Sequence, residues 1–227
     1  MQTSVAAEPD TALHVSIRRV VMLTMVCGLV EVIGYTDAAN IYPAIMTGNT
    51  VQLGSTLANA QWSRFGLLCY AIGAFFIGCF IASLIRRHLR RPPLELALMA
   101  VLLVGAGFVR THAALRVMIE LPMLALALGM QGETVSRFGA VSLQTLVVTN
   151  NMVKFSDAVV GRFLSRRAST EKRPDLAEVL LPGLAWLTYA LAAALGALTA
   201  HWIAFPLLVP ALLLVVITAD LLHGPQS

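Results

Sequence analysis

Val179 to Ala219 is an uncharged run of 41 residues, and Phe65 to Ile85 is another of 21. A helix needs about 20 apolar residues to cross ~30 Å of hydrocarbon. The shorter run therefore predicts one membrane-spanning helix, and the longer one predicts a hairpin of two that turns at His201-Trp202. At that depth no water can satisfy backbone amides and carbonyls, so a segment that crosses alone must be α-helical. Composition agrees: 58% of the 227 residues are hydrophobic and 12% are charged, where soluble domains carry about 25% charged residues.

The same reading predicts spans at about 20–37, 64–85, 94–110, 117–134, 178–200 and 203–221. Two polar stretches, roughly 40–60 and 139–160, are left over, and positive charge decides whether they cross or dip in and return. If both re-enter, twelve of the sixteen Lys and Arg side chains face the cytoplasm, Arg64, Arg110 and Arg116 face outward, and Lys154 is intramembrane. Full crossing would put the cluster from Arg86 to Arg91 on the wrong face, so re-entry is the expectation and eight spans the alternative. Arg18-Arg19 followed by Val20 to Val30 has the outline of a secretory signal, but no good small-x-small cleavage site follows closely, and the run is read as the first span.

The expected fold class is thus all-α: a polytopic integral membrane protein with about six transmembrane helices in two inverted three-helix halves. An odd number of spans per half turns the second half upside down, an arrangement common among transporters. One transmembrane domain, residues 18–222, divides into halves at about 18–111 and 112–222. It lies between an N-terminal tail (1–17) and a C-terminal tail (223–227), with both termini expected in the cytoplasm of a bacterium and the domain in its inner membrane.

The two polar stretches carry the candidate chemistry. In the first, Asn49, Gln52, Thr56 and Asn59 recur at helical steps of three and four, beside a stripe of small residues, Thr47, Thr50, Gly54 and Ala58. Such a helix is expected to turn its amides toward a polar cavity and its small residues toward a packed neighbour. Gly48-Asn49 is the expected break in the backbone, with Pro43 upstream suiting a helix start. In the second stretch, Asn150, Lys154 and Asp157 share a face, and Asn151 adds a further amide. Thr47, Asn49, Gln52, Asn150, Asn151 and Lys154 are therefore the expected solute-binding residues. Glu31 interrupts an apolar helix, and with Asp37 and Asp157 it is the expected proton-coupling set, because an ionisable group inside a membrane reads as functional. Asp37, like Glu120 and Glu133, lies nearer to a span end, where solvated or capping roles compete.

Other classes are excluded by what is missing or misplaced. Cys27, Cys69 and Cys79 lie in apolar segments without metal-ligand spacing, and the five histidines sit at or beyond span ends, so no metal and no cofactor is expected. The net charge of +4 gathers at segment ends rather than on a recognition motif, which argues against nucleic acid as a partner. No nucleophile elbow, phosphate loop or zinc-protease motif appears, so an enzyme is not expected. Ala74, Gly78 and Ala82, and likewise Ala192, Gly196 and Ala200, form small-residue stripes that let helices approach closely, within the monomer or in a homodimer.

At Gly34-Tyr35-x-Asp37-Ala38, Thr47-Gly48-Asn49-Thr50 with Leu53-Gly54, Gly129-Met130-Gln131 and the stretch from Gly139 to Thr149, the chain resembles the YoaK-like family of bacterial integral membrane proteins, a domain of unknown function. The resemblance runs from about residue 20 to 221 and implies a multi-span inner-membrane protein without an assigned substrate. With the lipid bilayer as its surroundings and a small solute as its ligand, the expected function is a transporter or permease, proton-coupled through the acidic set. A channel, or a scaffold or sensor subunit that moves nothing, is the alternative.

Overall fold

The computed structural model describes residues 9–89, 92–134, 137–138, 141–142, 145–146, 148–164 and 173–223. Eight helices follow one another: α1 (Pro9–Asp37), α2 (Met46–Ala58), α3 (Trp62–His88), α4 (Pro92–Arg110), α5 (Leu121–Thr134), α6 (Val148–Val159), α7 (Leu176–Trp202) and α8 (Leu208–His223). A 3-10 turn at Ala113–Leu115 and a π-turn at Arg116–Glu120 lead into α5, and a second π-turn, Val160–Leu164, extends α6. The one departure from an all-α chain among the described residues is a two-residue antiparallel ladder, β1 (Arg137–Phe138) against β2 (Val141–Ser142).

Among the described residues, four helical stretches are long and apolar enough to cross a membrane: Trp62–His88, Pro93–Arg110, Ala113–Gly132 and Leu176–Trp202. Leu208–Leu222 is a shorter apolar helix. Large apolar side chains stand outward on these helices, Phe76, Phe80, Val101, Leu191 and Leu212 among them. An exterior of that kind suits hydrocarbon and not water. The chain is a polytopic helical membrane protein. By contrast α2, with 13 residues, and α6, with 12 and a five-residue π-turn after it, reach only ~20–25 Å at 1.5 Å per residue, less than the hydrocarbon core.

Helix α1 is the axis of the packing, burying Val20, Leu23, Val26, Cys27, Val30 and Ile33. It lies along α7, and α5 lies along α3 in the same way. The parallel extends further: α2 rests on α3 as α6 rests on α7, α4 meets α5 as α8 meets α1, and α4 and α8 meet each other. Both long crossings depend on glycine. A Cβ on Gly28 of α1 would meet the backbone of Tyr189 and Ala193 on α7, and one on Gly129 of α5 would meet the backbone of Phe75 and Cys79 on α3. In each case the partners are a carbonyl and the amide four residues later. Gly78 presses on the Leu126 carbonyl of α5, and Gly196 on Leu29 and Val32 of α1, so the two small-residue stripes are used inside the monomer.

Without a hydrophobic force between helices in lipid, such close backbone approach is what dispersion has to work with. Gly78→Ala and Gly129→Ala are therefore expected to cost about 1–3 kcal/mol each, the usual penalty of overpacking. Gly73, on the same helix with open space beside it, is the control: thermal unfolding in detergent should leave Gly73→Ala near the parent and lower the other two.

Candidate functional site

Between α1 and α2 the chain leaves helical geometry. Ala39 and Asn40 take left-handed φ values of 52° and 59°, and the chain doubles back before α2 opens at Met46. Polar backbone buried in an unwound stretch must be satisfied by the protein itself. Two buried side chains do so. Glu31, 3% exposed, accepts from the Ala44 amide at 3.0 Å and the Ile45 amide at 3.1 Å. Asn49, fully buried, brackets Tyr42: its Oδ1 accepts from the Tyr42 amide at 3.0 Å and its Nδ2 donates to the Tyr42 carbonyl at 2.7 Å. The Tyr42 ring stacks on Tyr35 with centroids 4.5 Å apart. Gly48 leaves room for it, since a Cβ there would stand 3.1 Å from the ring. The break thus lies ahead of Gly48-Asn49 and not at it; α2 runs unbroken through that pair.

The start of α6 is built from similar parts. Asn49 and Asn151 are each the fourth residue of their helices, and with Thr56 and Ala158, seven residues on, they are the buried positions of α2 and α6. Thr145, 3% exposed, accepts at Oγ1 from Gln131 Nε2 at 3.2 Å, and the same nitrogen donates to the Leu23 carbonyl of α1 at 2.7 Å.

Both helix starts face one cavity of about 550 Å³. Ala44, Ile45, Met46 and Thr47 line it from the first, and Thr145, Leu146, Val148 and Thr149 from the second. Phe75 and Cys79 of α3, Gly132 of α5 and Tyr189 of α7 complete the wall. The volume suits a small molecule, and the polar groups on offer are three threonine hydroxyls and a phenol.

Of the expected solute-binding residues, Thr47 alone is among those lining the cavity. Asn49 and Asn151 sit behind it, buried in the scaffold. Gln52 turns to the loops, accepting from Arg64 Nη2 at 2.7 Å and donating to the Asn40 carbonyl at 3.4 Å. Asn150 and Lys154 are half-buried along α6, and Asp157 is exposed on a stripe with Thr149, Met152 and Ser156. Asp37 lies at the far end of α1, held by Arg110 and Arg116. Glu133 has its side chain outside the described residues.

The faces of α2 are the reverse of the expectation. The amide stripe packs into the protein through Asn49 and Thr56, and the small-residue stripe, Thr47, Thr50, Gly54 and Ala58, stands exposed. The reason is that the unwound turn needs donors and acceptors more than α2 needs a tight neighbour. Phe75, Cys79, Gln131 and Tyr189 are site residues that no motif or spacing in the sequence marks as such. Gln131, a lone amide within the apolar run of α5, was the available signal; the aromatics have no pattern that separates a cavity wall from a lipid face. Among the described residues no three His, Cys, Asp or Glu side chains stand close enough to hold a metal ion.

A family model described as "Protein of unknown function (DUF1275)" matches residues 20–219. The chain is similar to the UPF0700 transmembrane protein YoaK of Bacillus subtilis (strain 168), 26% identical over 191 residues that cover 78% of this chain and 80% of that one. No solved structure matches.

Two outcomes follow from this geometry. Asn49→Ala strands both polar groups of Tyr42 and is expected to lower stability by about 1–3 kcal/mol for each buried group left unpaired, while Asn150→Ala should stay near the parent in the same unfolding assay. Cys79, on the cavity wall, should react with a small thiol reagent while buried Cys27 does not. Placing a bulky side chain opposite, as in Thr149→Trp, should slow Cys79 by about tenfold or more, since reactivity follows access; mass spectrometry of the labelled protein reads both.

Proposed function

This chain belongs to the DUF1275 family of membrane proteins, and we propose that it is a small-solute transporter whose substrate binds between the starts of α2 and α6. The cavity of about 550 Å³ at that place is the observation that carries the reading. Sites of this kind, set where short or discontinuous helices begin near the middle of the bilayer, are a recurrent transporter device.

The proposal takes the two halves as inverted repeats, α1–α4 and α5–α8, with six helices crossing and α2 and α6 entering and returning. Each half contributes one helix to each of the two backbone-close crossings, and the repeated pairing of α1 with α7 and α5 with α3 supports this. Matching positions of Asn49 and Asn151, and of Gly28 and Gly129, support it further. In this scheme Thr47, Thr145, Thr149 and Tyr189 touch the solute. Asn49 and Glu31 hold the α2 start in shape, and Asn151 is buried at the matching place on α6. Phe75 and Tyr189 occupy corresponding places on α3 and α7, one beside each crossing glycine. Among the described residues no acid-base pair lines the cavity, and the reading is of a carrier, not an enzyme, in the cytoplasmic membrane with both termini inside.

A thermal-shift screen of the purified protein against small metabolites and ions tests this. A ligand present at 100 times its Kd stabilises the folded state by about 2.7 kcal/mol, and the shift should vanish in Thr149→Val and Tyr189→Phe. In vesicles the same ligand should show saturable uptake driven by a gradient. Unsaturable flux would favour a channel, and no hit with a folded protein would favour a scaffold.

A further inference from the structure

Where α4 passes into α5, four ionisable side chains are gathered, Asp37, Arg110 and Glu120 largely buried and Arg116 partly exposed. Arg110 Nε donates to Asp37 Oδ2 at 2.5 Å, and its Nη2 donates to the Ala200 carbonyl of α7 at 3.0 Å. Arg116 Nη1 donates to Asp37 Oδ1 at 3.1 Å, and its Nε donates to the Arg110 carbonyl at 3.0 Å. Asp37 therefore holds both guanidiniums and ties the end of α1 to α4, to the π-turn and, through Arg110, to α7.

The fourth group is Glu120. It is 1% exposed, and neither of its carboxyl oxygens receives a hydrogen bond from any described residue. The charges that act on it are Asp37 of α1, Arg110 of α4 and Arg116 of its own turn. Tyr70, reaching over from α3, gives its hydroxyl to the Met118 carbonyl at 3.0 Å and not to Glu120. A spacing of four makes Arg116 and Glu120 neighbours on one helical face, the arrangement of an intrahelical ion pair, yet Arg116 is turned to Asp37. Two carboxyls thus compete for two guanidiniums, and one of them has neither. An ionised carboxylate without donors is not tolerated in such a place; the group takes up a proton instead. The π-turn that carries it is the kind of local widening found at functional sites.

We propose that Glu120 is a proton-binding site, protonated in this conformation, and that its ionisation draws Arg116 away from Asp37. The proton leaves to water through the cavity of about 550 Å³ that Thr36, Asp37, Arg110, Arg116 and His201 line beside the cluster. Asp37 keeps Arg110, Glu120 gains Arg116, and every charge stays paired in both states. The exchange loosens the tie between α1 and the turn before α5 at Asp37, near Glu31 on the same part of α1, so the helix segment that supports the α2 start is linked to proton occupancy at Glu120. The protonation site stands without the transport reading, and only the purpose of the loosening rests on it.

Infrared difference spectroscopy of the full-length protein in detergent, recorded across a pH series, tests the proposal. The parent should show a protonated-carboxyl C=O band that Glu120→Gln removes, isolating it from the buried Glu31 and Glu95. Asp37→Asn releases both guanidiniums to Glu120, so the same band should be lost at neutral pH in that variant although Glu120 is intact. A Glu120→Gln spectrum identical to the parent overturns the proposal. So does a band that persists unchanged in Asp37→Asn, and this second variant decides the matter should Glu120→Gln fail to fold. Absent solute flux with the band present would count against the transport reading and leave the proton site standing.

Discussion

The unwound turn between α1 and α2 is the feature on which the rest of the structure depends, and it exists because buried side chains complete its hydrogen bonding. Glu31 caps the amides of Ala44 and Ile45, and Asn49 takes both polar groups of Tyr42. In hydrocarbon a bare amide or carbonyl costs several kcal/mol, so α2 can start in mid-protein only where such partners are supplied. Once it does, a short helix points its first turn at the centre of the bundle, and the cavity follows from the same geometry at α6.

The scaffold around that cavity and the helices that face it differ in how they are held. The crossings of α1 with α7 and of α3 with α5 bring backbone against backbone at Gly28, Gly78, Gly129 and Gly196. Contacts of that kind resist sliding, because side chains cannot flex to absorb a shift. Helices α2 and α6 lean chiefly on one neighbour each and leave a full stripe exposed. Parts with few buried apolar contacts open at lower free energy than the core, so any motion that admits a ligand is drawn from α2 and α6 and not from the crossed pairs.

Ionic ties stand toward the two ends of α1. At one end Arg18 and Arg19 pair with Asp220 of α8; at the other Asp37 binds Arg110 and Arg116. The second cluster is the more buried, so its pairing is screened less and its geometry matters more. With α1 packed along α7, Glu31 lies between the two ties on one continuous helix.

Uncharged runs alone mark this as a membrane chain and lay out its helices, with the two polar stretches between them. Such runs have one physical solution in lipid, and α3 covers its run whole; the run from 179 to 219 turns later than His201-Trp202, which end α7, and α8 begins at Leu208 and not at 203. The sequence also marked Glu31, Asn49 and Asn151 as unusual, because an amide or carboxyl within an apolar pattern must find a partner. What each of them partners was decided only by the tertiary structure. Glu31 and Asn49 serve the backbone of a turn, Gln52 reaches Arg64, and the amide face of α2 packs inward, because hydrogen-bond partners lie wherever the chain folds back and not at any fixed spacing. The cavity wall, from Phe75 to Tyr189, is likewise invisible to periodicity because it joins residues far apart in the chain; of the cluster around Glu120, spacing pairs Arg116 with Glu120, and only the fold brings Asp37 between them and Arg110.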